Sequence, residues 1–139
     1  KNGLDNKVFK WEKPKQFAIL SLTENNDHKY YSPDIIIDYD GSHSLAVLDA
    51  KNKIFNKGLK LNKLVDSADL YQLIFYVNQL SSRIGGLIYP TNEDIKPIEI
   101  SVDNLDSKLF LFSINMFENF QIRKYKLLKE VKKVFSENG

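Results

Sequence analysis

Two aspartates interrupt apolar runs in residues 32–53, and a lysine closely follows the second of them. Asp34 stands in PDIIIDY, and Asp49 stands in SLAVLDAK, two residues before Lys51. A buried carboxylate is unfavourable unless a cation compensates its charge. Lys51 can supply that cation, but Mg²⁺ also binds one or two carboxylates together with water and phosphate oxygens. Two acids with one base therefore predict either a structural ion pair or a metal site.

Two predicted strands must position these groups. The apolar runs of 33–39 and 44–51 are typical of strands, and the DGSH between them is a hairpin signal. Side chains two residues apart on a strand point to the same face of the sheet. Asp49 and Lys51 therefore share a face.

The length of the hairpin loop decides whether Asp34 joins them. With a two-residue loop at Gly41–Ser42, Asp34 lies directly opposite Asp49. With the loop at Asp40–Gly41, Asp34 faces Val47, and Asp49 is its diagonal neighbour on the same face. Both loops have an even length and keep the carboxylates together, whereas an odd loop would separate them.

The remaining pattern predicts an α/β fold, with a mixed β-sheet flanked by helices. Further strands are predicted over residues 16–22, 87–90, 97–102 and 108–114. TENNDHK reads as a polar turn, and the lysine-rich segment 52–65 reads as a loop. Helical spacing of apolar residues runs from Ser67 to Ile84, where Gly85-Gly86 would end the helix, and again over 117–136.

Length and composition indicate one domain over residues 1–139. Hydrophobic residues make up 42% and charged residues 27%, which is typical of a globular protein rather than a disordered one. The absence of cysteine excludes a disulfide framework and a thiolate zinc site. No apolar run approaches the ~20 residues of a membrane span, and the N-terminal residues show no signal peptide. We expect a cytoplasmic protein with no membrane partner.

Short motifs in the chain resemble those of known nucleases. Pro33-Asp34 followed by Asp49-Ala50-Lys51 resembles the signature of the PD-(D/E)xK superfamily. Gln72 and Tyr76 form a Q-x-x-x-Y pattern like the auxiliary motif of its RecB-type members. More narrowly, VLDAKNK, DLYQLIFYV and GGLIYP resemble the nuclease subunit (McrC) of McrBC-type and LlaJI-type restriction systems, over residues 30–90.

The resemblance implies a restriction-endonuclease-like core that hydrolyses DNA phosphodiesters with Mg²⁺ or Mn²⁺. Asp34, Asp49 and the Ala50 carbonyl would bind the metal, and Lys51 and Gln72 would complete the catalytic set. The superfamily usually has a further acid on a helix before the first strand. Here only Glu12 stands in that region, and Pro14 leaves no room for a helix after it. Either Glu12 takes a different geometric part, or this is the C-terminal catalytic part of a longer chain.

The same resemblance implies DNA and a second subunit as partners. A polar stripe on the predicted helix is able to face the cleft; its members are Asp69, Gln72, Tyr76, Gln79 and Arg83. Tyr76 and the loop lysines would contact DNA; these lysines are Lys53, Lys57, Lys60 and Lys63. A net charge of +2 indicates modest DNA affinity, and the sequence has no Gly-rich phosphate loop. A motor subunit that hydrolyses nucleotide and recognises DNA is therefore expected.

Two alternatives remain open from the sequence. One is another nuclease of the same superfamily, with a role in repair, recombination or a phage. The other is a DNA-binding module that keeps the fold but lacks the full set of acids. Cleavage of covalently closed circles and binding of divalent ions, respectively, would distinguish these alternatives from the restriction nuclease.

Overall fold

The computed structural model describes residues 11–12, 17–22, 27–52 and 65–138. In these residues eight strands and two helices follow one another along the chain. Their bounds are β1 (Trp11–Glu12), β2 (Phe17–Leu22), β3 (Asp27–Tyr31), β4 (Ile35–Ile37), β5 (Ser44–Ala50), α1 (Ser67–Gln79), β6 (Ser82–Thr91), β7 (Ile98–Ile100), β8 (Lys108–Asn115) and α2 (Phe120–Asn138). None of the helices in these described ranges has the length and apolar character needed to cross a membrane.

Six strands form one mixed sheet in the order β1-β4-β5-β6-β8-β7, and β2 pairs with β3 in a separate antiparallel ladder. The three central strands β5, β6 and β8 are parallel, whereas β4 and β7 pair antiparallel with β5 and β8. This confirms the predicted α/β fold with a mixed sheet. The carboxyl ends of the three parallel strands lie at the same edge of the sheet, which is where α/β folds usually bind ligands.

The two helices cover opposite faces of the sheet. On one face, Leu73 and Val77 of α1 pack in a cluster with Leu87 and Leu109. On the other face, Phe135 of α2 packs in a cluster that includes Ile88 and Phe112. Neighbouring residues of β6 thus contribute to opposite cores, which explains why this strand has a continuous apolar sequence rather than an alternating one.

Helix α1 ends earlier than its apolar spacing predicted. The prediction extended the helix to Ile84, but α1 ends at Gln79 and β6 begins at Ser82. Ser81 adopts a left-handed backbone, with φ of 46°. This residue turns the chain from the helix into the central strand. The apolar spacing continued past the helix because β6 is also buried.

The glycine pair has a packing role rather than the predicted helix-ending role. Gly85 and Gly86 lie inside β6 and are both buried. A Cβ atom on Gly85 would stand 2.6 Å from Cγ1 of Val77, and one on Gly86 would stand 2.7 Å from Cδ2 of Leu48. Real Cβ atoms do not come so close to other carbons. The glycines therefore let α1 and the side chains of the opposite face approach the sheet closely.

Other predicted boundaries shift by a few residues. The predicted final helix, 117–136, begins at Phe120 because the side chain of Asn119 accepts a hydrogen bond from the Ile122 amide (3.0 Å) and caps it. The predicted turn TENNDHK is wrong in its second half, because β3 begins at Asp27. Of the predicted loop 52–65, the part from 53 to 64 lies outside the described residues.

Candidate active site

The β4–β5 hairpin brings the two aspartates together. Its ladder pairs Ile35 with Leu48 and Ile37 with Ala46, and the Asp40 amide donates to the His43 carbonyl at 3.0 Å. This is the register of the two-residue Gly41–Ser42 loop. Extending the ladder by one residue beyond β4 places Asp34 directly opposite Asp49, as one of the two even-loop alternatives predicted.

Loop residues support this register locally. The side chain of Asp40 accepts hydrogen bonds from the backbone amides of Ser42 (2.9 Å) and His43 (2.7 Å). These bonds hold the pKa of the exposed Asp40 carboxyl below its usual range. Gly41 has a φ of 100°, a backbone conformation that residues other than glycine rarely adopt. The turn is therefore well specified by its sequence.

The two carboxylates differ in their surroundings. Asp34 is exposed, and its Oδ2 atom accepts a hydrogen bond from the Ala50 amide at 2.9 Å. Asp49 is only 6% exposed. Burial raises the pKa of Asp49 and the negative charge of Asp34 raises it further, while the hydrogen bond from Lys51 acts in the opposite direction. At Asp49, burial and the neighbouring Asp34 therefore outweigh the effect of Lys51.

Lys51 lies at the centre of a polar cluster. Its Nζ atom is 2.6 Å from Oδ2 of Asp49, 2.7 Å from Oε1 of Gln72 and 3.6 Å from Oδ1 of Asp69. The Lys51 backbone amide donates to the Ile88 carbonyl at 2.8 Å and continues the pairing of β5 with β6. Its side chain is 14% exposed, so the ammonium is held by the protein rather than by solvent.

Helix α1 presents its first turns to this cluster. Asp66 caps the helix by accepting a hydrogen bond from the Ala68 amide at 3.2 Å. Asp69 and Gln72 are three residues apart and therefore neighbours on the helix surface, and both reach Lys51. Leu73 is buried against the sheet, with an exposed fraction of 1%. The predicted orientation, with Gln72 toward the site and Leu73 toward the core, agrees with this arrangement.

The comparison with protein families agrees with this geometry. The family model described as "McrBC 5-methylcytosine restriction system component" matches residues 5–90, which is more than half of the chain. The chain belongs to this family. As a McrBC family member it is a component of a restriction system. The match includes the whole polar cluster around Lys51, whereas β7, β8 and α2 lie beyond it. No curated protein matches the chain significantly.

Sequence reasoning missed two residues of the candidate site, Asp69 and Tyr89. Asp69 was named only as part of a polar stripe, and Tyr89 only as part of a short buried strand. The hydroxyl of Tyr89 is 3.5 Å from Oδ2 of Asp69. Extending the register of β5 and β6 by one residue places Tyr89 beside Lys51. Burial and the charge of Asp69 raise the pKa of Tyr89, so the phenol stays protonated.

Tyr76 and Arg83 do not lie where the polar stripe predicted. Tyr76 is 4% exposed and packs with Ile36, Val47 and Leu80, so its predicted contact with DNA is wrong for this structure. The aromatic ring fills the space between α1 and the sheet one turn beyond Gln72. Arg83 belongs to β6 rather than to the helix.

The remaining predicted site residues lie either in β1 or outside the described part of the chain. The candidate DNA-binding residues Lys53, Lys57, Lys60 and Lys63 fall in residues 53–64, outside the described part of the chain. Glu12 lies in β1, where its backbone pairs with Ile36. Within the described ranges, no three His, Cys, Asp or Glu side chains are grouped as metal ligands. The candidate set there is the Asp34–Asp49 pair with the Ala50 carbonyl.

Proposed function

We propose that this chain is the nuclease component of its restriction system and hydrolyses DNA phosphodiesters with Mg²⁺ or Mn²⁺. The observation that carries the proposal is the convergence of Asp34, Asp49, Lys51 and Gln72 at the carboxyl edge of the sheet. Asp34 directly precedes β4, Asp49 lies in β5, Lys51 directly follows β5, and Gln72 lies in α1. Their arrangement also supports the resemblance of the sequence to PD-(D/E)xK nucleases.

The acid pair fits a divalent metal. Asp34 and Asp49 extend from adjacent strands, and burial and mutual repulsion raise the pKa of Asp49. An added cation would relieve that repulsion, and two carboxylates with a carbonyl leave coordination positions for water and phosphate oxygens. When bound, Mg²⁺ supplies Lewis acidity and lowers the pKa of a bound water. The Ala50 carbonyl is the third candidate ligand, and Glu12 is a fourth.

Lys51 and Gln72 would act on the substrate rather than on the metal. The Lys51 ammonium can stabilise negative charge that develops on the phosphate in the transition state, or orient the attacking water. Gln72 fixes the ammonium through a hydrogen bond of 2.7 Å. Such a contact holds a flexible lysine in one position before the substrate arrives, which lowers the entropic part of the barrier.

The proposed partners are DNA and a motor subunit that hydrolyses nucleotide. The family description names a 5-methylcytosine restriction system, so DNA recognition and methylation dependence belong to the assembled system. The loop lysines predicted to bind DNA would contact phosphates and supply no sequence information. We therefore expect the isolated chain to bind DNA weakly, to lose binding steeply with added salt, and to cut little.

Cleavage of a methylated plasmid by the chain, its partner component, nucleotide and Mg²⁺ tests the proposal. Asp34→Asn, Asp49→Asn and Lys51→Met should each lower the cleavage rate at least ~100-fold, as expected for groups that stabilise transition-state charge. Lys126→Met, which changes a surface lysine far from the site, is the control and should retain activity. Cleavage at the wild-type rate by all three site variants would refute the proposal and favour an inactive DNA-binding module.

A further inference from the structure

Lys51 contacts two carboxylates, but only one of them belongs to the acid pair. Asp49 lies opposite Asp34 and 2.6 Å from the Lys51 Nζ atom. Asp69, in the first turn of α1, lies 3.6 Å from the same Nζ atom through its Oδ1. The side chains of all three are largely buried, with exposed fractions of 14% for Lys51, 9% for Asp49 and 16% for Asp69. The ammonium is therefore in contact with two carboxylates in a region of reduced dielectric.

The two carboxylates, Asp49 and Asp69, cannot attract the Lys51 ammonium equally during the proposed reaction. A cation bound by Asp34 and Asp49 would compensate the charge of Asp49, which would weaken its attraction for Lys51. The cation would also repel the Lys51 ammonium. Lys51 would then keep only those contacts that lie outside the acid pair. In the described part of the chain these are Asp69 and the Oε1 atom of Gln72. Of the two, only Asp69 carries a charge opposite to that of the ammonium.

Asp69 is itself held in place by its surroundings. The hydroxyl of Tyr89 lies 3.5 Å from its Oδ2 atom, while Oδ1 faces Lys51. Tyr89 is 2% exposed and lies on the central strand β6, so its ring is fixed by the core. Asp69 is therefore a carboxylate that contacts Lys51 and Tyr89 and does not belong to the acid pair.

We propose that Asp69, oriented by Tyr89, is the positioning residue that keeps the Lys51 ammonium in the site once the carboxylate of Asp49 is engaged by another cation. Its importance for turnover rests on the proposed nuclease function. The contact itself does not, because Asp49→Asn removes the charge of Asp49 from Lys51 without any metal. The inference is therefore testable in the metal-free protein.

The test is the NMR signal of the Lys51 ammonium in ¹⁵N-labelled protein at low temperature. Lysine ammonium protons that are held in ion pairs exchange slowly enough to be seen, and Lys51→Arg identifies the signal by its loss. We expect the signal to persist in Asp49→Asn and to disappear in Asp49→Asn/Asp69→Asn. Its loss in Asp49→Asn alone would show that Asp49 is the sole anchor, and its persistence in the double variant would show that Gln72 suffices. Either result overturns the proposal.

A second set of variants addresses folding and the role of Tyr89. Asp69→Glu in the Asp49→Asn background keeps the charge and should retain the Lys51 signal that Asp49→Asn/Asp69→Asn loses, which a purely structural role of Asp69 would not predict. Tyr89→Phe in that background should broaden the signal, whereas Tyr125→Phe, which removes an exposed hydroxyl far from the site, should not. An unchanged signal in Tyr89→Phe would remove Tyr89 from the proposal. These comparisons keep the proposal testable if the double asparagine variant does not fold.

Cleavage assays separate this inference from the proposed function. In the assembled system, Asp69→Asn should lower kcat about 10-fold and leave KM nearly unchanged, because it acts on Lys51 and not on DNA binding. A raised KM with unchanged kcat would contradict a positioning role. If the wild-type protein binds no Mg²⁺ and cuts no DNA, the proposed function fails, yet the NMR comparison still decides whether Asp69 holds Lys51.

Discussion

In the part of the chain that the structure describes, two lysines each contact two acids, and the two clusters differ mainly in burial. Lys51 lies 2.6 Å from Asp49 and 3.6 Å from Asp69, on the α1 face of the sheet. Lys126 of α2 lies 3.0 Å from Asp94 and 2.8 Å from Glu118. The Lys126 side chain is 44% exposed, against 14% for that of Lys51. Similar distances therefore occur in very different dielectric surroundings.

The pKa of an acid shifts in opposite directions in the two clusters, because burial outweighs the effect of the lysine only at Asp49. The hydrogen bond from Lys126 lowers the pKa of the exposed Asp94, as expected for a carboxylate next to a cation. At the site, burial raises the pKa of Asp49 despite the contact with Lys51. The raised pKa of the buried Asp49 is the kind of perturbation that often marks a functional site, and the surface cluster shows no such rise at Asp94.

The largest expected effect comes from removing each lysine. Lys51→Met leaves Asp49 buried without its cation and should lower the free energy of unfolding by about 3–5 kcal/mol, as for a broken buried ion pair. Lys126→Met should change it less, because Lys126 and Asp94 are both exposed to water and an exposed ion pair contributes little. Urea unfolding at pH 7 without metal measures both. Equal losses would show that burial does not distinguish the two clusters.

The orientation of α1 is tested by two adjacent residues. Leu73→Ala truncates a side chain that is 1% exposed and should lower the free energy of unfolding by about 2–5 kcal/mol. Gln72→Ala changes an exposed residue and should leave stability almost unchanged, while lowering cleavage by the assembled system. Thermal unfolding and the plasmid assay measure the two effects. A fully active Gln72→Ala protein would contradict the role assigned to Gln72.

The buried cluster was largely predictable from sequence because strand geometry is strict. Side chains alternate every residue, so the spacing of Asp49 and Lys51 placed them on one face, and a two-residue loop at Gly41–Ser42 placed Asp34 opposite. The position of Gln72 followed from its motif and from the apolar spacing of α1. Local rules of this kind carry enough information to bring these residues together.

The missed residues depend on information that is not local. Tyr89 joins the site only because β5 and β6 pair in parallel in one particular register, and its sequence context, LIYP, indicates only a buried strand. Gly85 and Gly86 resembled a helix end because glycine serves both there and at close packing contacts. Tyr76 matched a polar motif position, yet the gap between α1 and the sheet accommodates its ring.

A smaller effect is expected at the exposed acid of the surface cluster. The pKa of Asp94 lies below its ordinary 3.8 because Lys126 and Asn115 donate hydrogen bonds to it. A lowered pKa contributes stability above pH 3.8, which is lost as the pH falls through the lowered value. Asp94→Asn should therefore cause a small fall in the melting temperature at pH 7 that disappears in strong acid and weakens with added salt. A fall of equal size at all pH values would contradict this linkage.

Glu130, also on α2, should show an effect of opposite sign and similarly small size. Burial raises its pKa above the ordinary 4.5, and the charge of Asp94 raises it further. A raised carboxyl pKa means that the folded state holds the proton more tightly, so ionisation lowers stability above the raised value and has no such effect below pH 4.5. Glu130→Gln should therefore raise the melting temperature slightly at pH 7 and leave it unchanged near pH 4. Because Asp94 contributes to this shift, the gain should shrink in an Asp94→Asn background, and a gain that is independent of Asp94 would assign the shift to burial alone.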